Sequence, residues 1–132
     1  ALVRAGAEYY SDEYAVLDEA GRVHPFPKPP QRRDSETFRQ TEFSVESVGG
    51  KLGTRPLPVG TVILSQYEPQ AIWRPRPLSA GRGVLALMAH TVSARHAPER
   101  ALPALTQLAN SATILKGARG EAGQLIAALL EV

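Results

Sequence analysis

The 132-residue chain predicts a mixed α/β fold, with α+β as the other arrangement that its element order allows. Three observations carry this. Val62, Ile63 and Leu64 form an apolar centre within Val59 to Tyr67, as in a strand of a covered sheet. Val84, Leu87, Met88, Thr91 and Val92 recur at helical spacing and make one apolar stripe. Near the N-terminus, Tyr9, Tyr10, Tyr14, Val16 and Leu17 supply the aromatic and β-branched content of a strand.

Taken in order, Ala1 to Ala7 reads as the tail of a helix stopped by Gly6. A β-hairpin follows, with strands over Tyr9 to Leu17 and Val23 to Phe26 joined by a turn at Glu19-Ala20-Gly21-Arg22. Pro25, Pro27, Pro29 and Pro30 then exclude a helix or a central strand, leaving an extended loop with fixed φ. Arg32 and Arg33 leave that loop, and Phe38 to Val48 alternates weakly, as an exposed or edge strand would. Ile72 to Leu78 reads as a short edge segment in which Trp73, between arginines, either stacks on a base or, the safer reading, packs on a core or its rim. Ser79 is placed to cap the first long helix. Pro98 opens a second helix with Ala101, Leu105 and Leu108 facing inward, and Pro103 either kinks it or delays its start. Thr113, Ile114 and Leu115 suggest a short last strand. Gly120 to Leu130 suggests a final helix burying Leu125, Ile126, Leu129 and Leu130.

Composition points to one soluble domain over residues 1–132. The 43% hydrophobic content argues against disorder, and no apolar run approaches the roughly 18 residues of a membrane span. With zero cysteines there is no disulfide framework, thiolate metal site or cysteine nucleophile, which fits a cytoplasmic protein. A net charge of +2 does not imply a broad nucleic-acid surface. His24, His90 and His96 match no helical metal pair, and His90 reads as a partly buried core residue. Ser11 lacks the flanking glycines of a hydrolase nucleophile elbow.

The chemistry-bearing feature is Asp12-Glu13, two adjacent carboxylates inside the apparent first strand. Neighbouring strand positions point to opposite faces, so in a strand at most one of them faces a core. The competing reading is a solvent-facing edge strand whose acids keep the protein soluble. Charge is segregated along the chain. Residues 1–21 carry five acids against Arg4, while Arg22, Lys28, Arg32, Arg33 and Arg39 follow against Asp34 and Glu36. A further basic stretch holds Arg74, Arg76, Arg82, Arg95 and Arg100 against Glu68 and Glu99. An acidic segment beside basic loops is the pairing phosphoryl transfer uses, with arginines neutralising phosphate oxygens. Ordinary surface salt-bridging is the other reading.

The order Glu8 to Asp18, the turn at Glu19 to Arg22, and Val23-His24-Pro25-Phe26-Pro27-Lys28-Pro29 resembles HPr kinase-like proteins. These are bacterial serine kinases that share a core with phosphoenolpyruvate carboxykinase. Pro56 to Gly60, Gln66 to Pro69 and Arg119 to Ala122 extend the resemblance over nearly the whole chain. Ser11-Asp12-Glu13 stands where that family usually has Ala-Asp-Asp. The resemblance implies a partial P-loop kinase-like sheet, with Mg²⁺ and ATP as cofactors and a seryl hydroxyl on a protein as acceptor. It further implies Asp12 as general base or proton shuttle and Glu13 as the group positioning Mg²⁺, with Asp12 also within reach of the metal. Arg33 is the first candidate for a phosphate or substrate contact, with Lys28 and Arg119 behind it.

One departure stands out: no G-x-x-x-x-G-K-[ST] string occurs. Gly49-Gly50-Lys51-Leu52-Gly53-Thr54 is a shuffled imitation, and Pro56 and Pro58 prevent a helix from opening behind it, so it reads as a turn. The family's Gly-rich signature after the acidic strand is also not recognisable. The expectation is therefore an N-terminally truncated kinase-like domain, incompetent alone. The alternative is a non-catalytic binding or regulatory domain, or a homo-oligomeric remnant of the same fold. Either version predicts dimerisation or poor solubility, because a missing P-loop unit would leave an apolar scar on the sheet.

Overall fold

A computed structural model describes residues 2–34 and 36–130. It has mixed helices and strands, as the sequence predicts. The chain divides into two compact units, one of Ala1–Val16 and Val23–Pro56, the other of Leu17–Arg22 and Leu57–Val132.

The first unit is built from short strands and loops. A single 3₁₀ turn, Val3–Ala5, ends at Gly6 in the left-handed region, so the expected helix tail is one turn long. β1 (Glu8–Tyr9) is followed by β2 (Val16–Leu17) and β3 (Arg22–His24), the last two being neighbours in a small sheet. The hairpin strands are thus much shorter than the sequence suggests. The residues between Tyr9 and Val16 leave the extended ladder, and Asp12 and Glu13 sit in a bend. Asp, Glu and Ser compete poorly for strand geometry, and no partner strand is there to override them.

Residues 25–30 are irregular, as the prolines require. Beyond them β4 (Gln31–Arg33) pairs antiparallel with β5 (Gln40–Glu42). This hairpin places Arg32 and Arg33 on a strand, just beyond the proline-rich loop. Its connection is held by Asp34, whose carboxylate accepts from the Thr37 amide at 2.7 Å, the Glu36 amide at 2.9 Å and the Thr37 hydroxyl at 2.9 Å. A 3₁₀ turn, Glu46–Val48, ends at Gly49 with φ +78°, a conformation that favours glycine. β6 (Lys51–Leu52) then pairs parallel with β1. Gly49-Gly50-Lys51 is therefore a turn into a strand, as expected, with no helix behind it. Among the described residues of this unit Tyr9 and Val45 are buried, as is Pro30.

The second unit begins with the Leu17–Arg22 turn, in which Asp18 accepts from the Ala20 and Arg22 amides at 3.0 and 2.9 Å and pairs with Arg22 Nε at 2.9 Å. β7 (Leu57–Pro58) leads into β8 (Thr61–Tyr67), the strand marked by Val62-Ile63-Leu64. β9 (Arg76–Pro77), α1 (Ala80–His90) and α2 (Pro98–Ser111) follow, and β10 (Thr113–Arg119) returns parallel to β8 over its full length. The sheet order is β8-β10-β9, so the strand expected to be short is seven residues long and central. Two parallel strands joined through helices form this sheet, and Val62, Ile63 and Leu64 are half-buried in it, so β8 is less covered than its apolar run predicts.

Ile114 is 2% exposed and sits against Gly83 of α1. Ala101, Leu105, Leu108 and Ala109 bury one face of α2, matching the predicted stripe. Pro98 occupies the first turn and Pro103 lies inside the helix. Val92, counted in the α1 stripe, falls in a 3₁₀ turn and is exposed. α3 (Ala122–Leu130) forms as expected, but none of its described residues is buried and Leu130 is exposed. Among the described residues no helix is long and apolar enough to cross a membrane.

Candidate functional site

The acidic bend is shaped by its own residues. β1 delivers the chain to Tyr10, whose hydroxyl donates to the Arg55 carbonyl at 2.8 Å. Ser11 Oγ then donates to the Tyr14 carbonyl, closing the bend around Asp12 and Glu13. This local hydrogen bond is the kind that serine offers a backbone in place of a ladder. Leaving the strand also lifts the restriction that sends adjacent side chains to opposite faces. Both carboxylate residues consequently line one cavity of about 270 Å³, together with Ser11, Tyr14, Phe26 and Lys28.

The opposite wall is fixed by the proline-rich segment. The Phe26 amide donates to the Tyr10 carbonyl at 2.8 Å, tying residues 25–28 to the chain beside the bend. The Lys28 amide donates back to the Phe26 carbonyl at 2.8 Å, a tight turn centred on Pro27. The Lys28 carbonyl accepts from the Tyr9 hydroxyl at 2.7 Å. Lys28 is thereby held at both backbone groups while its side chain stays half exposed at the cavity.

Lys28 Nζ lies 3.5 Å from Glu13 Oε2, with both side chains about half exposed. An ion pair this open contributes about 0–1 kcal/mol and exchanges readily for another charged partner. Asp12 Oδ2 receives a long contact, 3.5 Å, from the Gln31 amide. Burial, and then the Asp12 negative charge, raise the Tyr9 phenol above its ordinary 10.0.

Among the described residues no group of three or more His, Cys, Asp and Glu side chains converges as a metal cage would require. Mg²⁺ characteristically keeps several waters and takes one or two carboxylates plus substrate phosphates. Two adjacent exposed carboxylates at one cavity fit that second arrangement, and Asp12, which is not in the Lys28 ion pair, is the freer of the two.

Of the residues singled out in the sequence, Asp12, Glu13 and Lys28 are brought together. Arg33 lies on β4, exposed, with Gln40 as its cross-strand partner. Arg119 belongs to the other unit. It ends β10 beside Tyr67, with its guanidinium 5.5 Å from the Tyr67 ring centroid and Nη1 donating to the Gly120 carbonyl at 3.0 Å. Tyr67 in turn donates to Glu121 Oε1 at 3.0 Å, and this hydrogen bond raises its pKa. His90, expected in the core, is exposed at the end of α1. Sequence reasoning passed over Tyr9 and Phe26 as site residues. The alternation of Tyr9 with Tyr10 marks which ring turns inward, but nothing in the sequence pairs Tyr9 with a carbonyl nineteen residues away. No family model, curated protein or solved structure significantly matches this chain.

Proposed function

We propose that the chain carries the acidic half of an ATP-dependent phosphotransferase site of the HPr kinase-like type. The observation that supports this most is the convergence of Asp12, Glu13 and Lys28 on one cavity, with Asp12 outside the ion pair. In this reading Asp12 accepts the proton of an acceptor hydroxyl as its oxygen bonds to the γ-phosphorus. The bond from that phosphorus to the β-γ bridging oxygen breaks, and ADP leaves. Asp12 and Glu13 would hold Mg²⁺, which supplies charge neutralisation on the phosphate oxygens when bound. Lys28 exchanges Glu13 for a phosphate oxygen, a switch made easy by the small cost of opening an exposed pair. A seryl hydroxyl on a protein is the proposed acceptor class.

The 132 residues contain no G-x-x-x-x-G-K-[ST] string, so they supply carboxylates and a lysine rather than a backbone phosphate cradle. Calorimetric titration with Mg·ATP, run on the parent and on Asp12→Asn, tests the reading. Micromolar binding that Asp12→Asn abolishes is the expected result. Binding of equal strength in both proteins would remove Asp12 from the site and sink the proposal. The alternative is a non-catalytic binding domain, favoured by the exposed Leu130 of an α3 in which no described residue is buried; it is distinguished by a dimer in solution that binds no nucleotide.

A further inference from the structure

Arg76 and Lys116 are directly opposite each other in the antiparallel pairing of β9 with β10. Side chains at such positions stand on the same face with Cβ atoms about 4.5–5.5 Å apart, and like charges there are destabilising. A carboxylate between them would relieve this. Among the described residues none lies within ion-pair distance of Arg76, Lys116 or the neighbouring Arg74.

All three cations line a cleft of about 770 Å³ over the β8-β10-β9 sheet, with His90 at its border and Glu68 as the single acid. The alternation Arg74-Pro75-Arg76-Pro77 restricts φ at every second residue, which stiffens the backbone that carries the two exposed arginines. Gln66, Glu68 and Ala118 place the cleft toward the carboxyl ends of the parallel strands. Open α/β sheets bind their ligands at that edge. The volume is within the range of small-molecule sites, about 300–1,000 Å³.

We propose that this cleft binds a phosphate-bearing small molecule through a condensed phosphate chain, with Arg74, Arg76 and Lys116 as its donors. Two guanidinium forks and an ammonium match several phosphate oxygens at once, whereas one carboxylate would leave most of these donors unused. The bound anion replaces repulsion between Arg76 and Lys116 with two attractive contacts. The site lies wholly within the second unit and does not depend on the phosphotransfer reading of Asp12 and Glu13.

A Cβ built on Gly117 would lie 3.2 Å from Trp73 Cζ3, so the Trp73 ring packs on the face of β10 opposite Lys116, beneath the cleft. Calorimetric titration of the chain with pyrophosphate in EDTA is the test, with sodium chloride at matched ionic strength as control. A saturable change is expected in the parent, weakened at least about tenfold in Arg76→Gln and in Lys116→Gln. Melting in the absence of anion adds an opposite signature. Lys116→Gln should melt no lower than the parent, because repulsion is removed, and pyrophosphate should raise the melting temperature of the parent more than that of either variant. No saturable response, a response reproduced by sodium chloride, or equal pyrophosphate binding in both variants would each overturn the proposal.

Discussion

The Tyr9 hydroxyl donates to the Lys28 carbonyl at 2.7 Å, and Tyr9 is only 8% exposed. One buried phenol thus fixes the backbone from which the site lysine projects, on the far side of the cavity from the acidic bend. Tyr9→Phe leaves that carbonyl without its donor and should cost about 0.5–1.5 kcal/mol in urea unfolding. Mg·ATP affinity should fall with it. Unchanged stability would mean that water replaces the phenol without loss.

The same residue sets an alkaline limit. Burial, followed by the Asp12 charge, raises the Tyr9 pKa, so folding favours the neutral phenol. Its contribution is complete below the unfolded value of 10.0 and is lost as pH rises through the higher folded value. Absorbance titration of the parent against Tyr9→Phe should show a phenol titrating above 10.0 that the variant lacks. A Tyr9 phenol titrating at or below that value would contradict the burial described for it.

Breaking the Glu13–Lys28 pair should separate stability from binding. Both side chains are about half exposed, so Glu13→Gln should change unfolding free energy by less than about 1 kcal/mol. Lys28→Ala should be equally mild in urea yet weaken Mg·ATP binding. A large stability loss in either variant would mark the pair as structural rather than exchangeable.

Asp34 makes the hairpin connection acid-sensitive. Hydrogen bonds from the Thr37 amide and hydroxyl, and from the Glu36 amide, lower its pKa below 3.8. Its stabilisation is present above the unfolded value and disappears as pH falls through the lower folded one. Amide NMR shifts of Glu36 and Thr37 should follow one titration with a midpoint below 3.8. In Asp34→Asn that titration should vanish. A midpoint above 3.8 would rule out these hydrogen bonds as the dominant influence.

In the second unit the stability should rest on β10. Ile114 is 2% exposed, and Ile114→Ala should cost about 2–5 kcal/mol, since cavity formation adds to lost burial. A cost below about 1 kcal/mol would mean the helices collapse onto the sheet to fill the gap.

Much of the second unit was legible because its elements are long enough for periodicity to show. Val62-Ile63-Leu64 marks β8, although these residues are only half-buried, and Ala101, Leu105 and Leu108 mark the inner face of α2. The first unit was less so, because its strands are two or three residues long and local hydrogen bonds compete with pairing. Ser11 and Tyr14 close the bend that brings Asp12 and Glu13 to one cavity, a geometry that the alternation rule for strands excludes. The Arg76–Lys116 opposition was hidden for another reason. A register between residues forty apart is set by tertiary pairing, and charge segregation alone identifies the arginines without their lysine.

The central claim is that Asp12 and Glu13 hold a nucleotide-bound divalent cation beside Lys28. Amide NMR of the chain with ADP and substoichiometric Mn²⁺ tests this most directly, because paramagnetic broadening reports distance to the ion. The expected result is broadening centred on residues 11–14 and 26–28, absent in Asp12→Asn. Broadening centred elsewhere, or unchanged by Asp12→Asn, would contradict it.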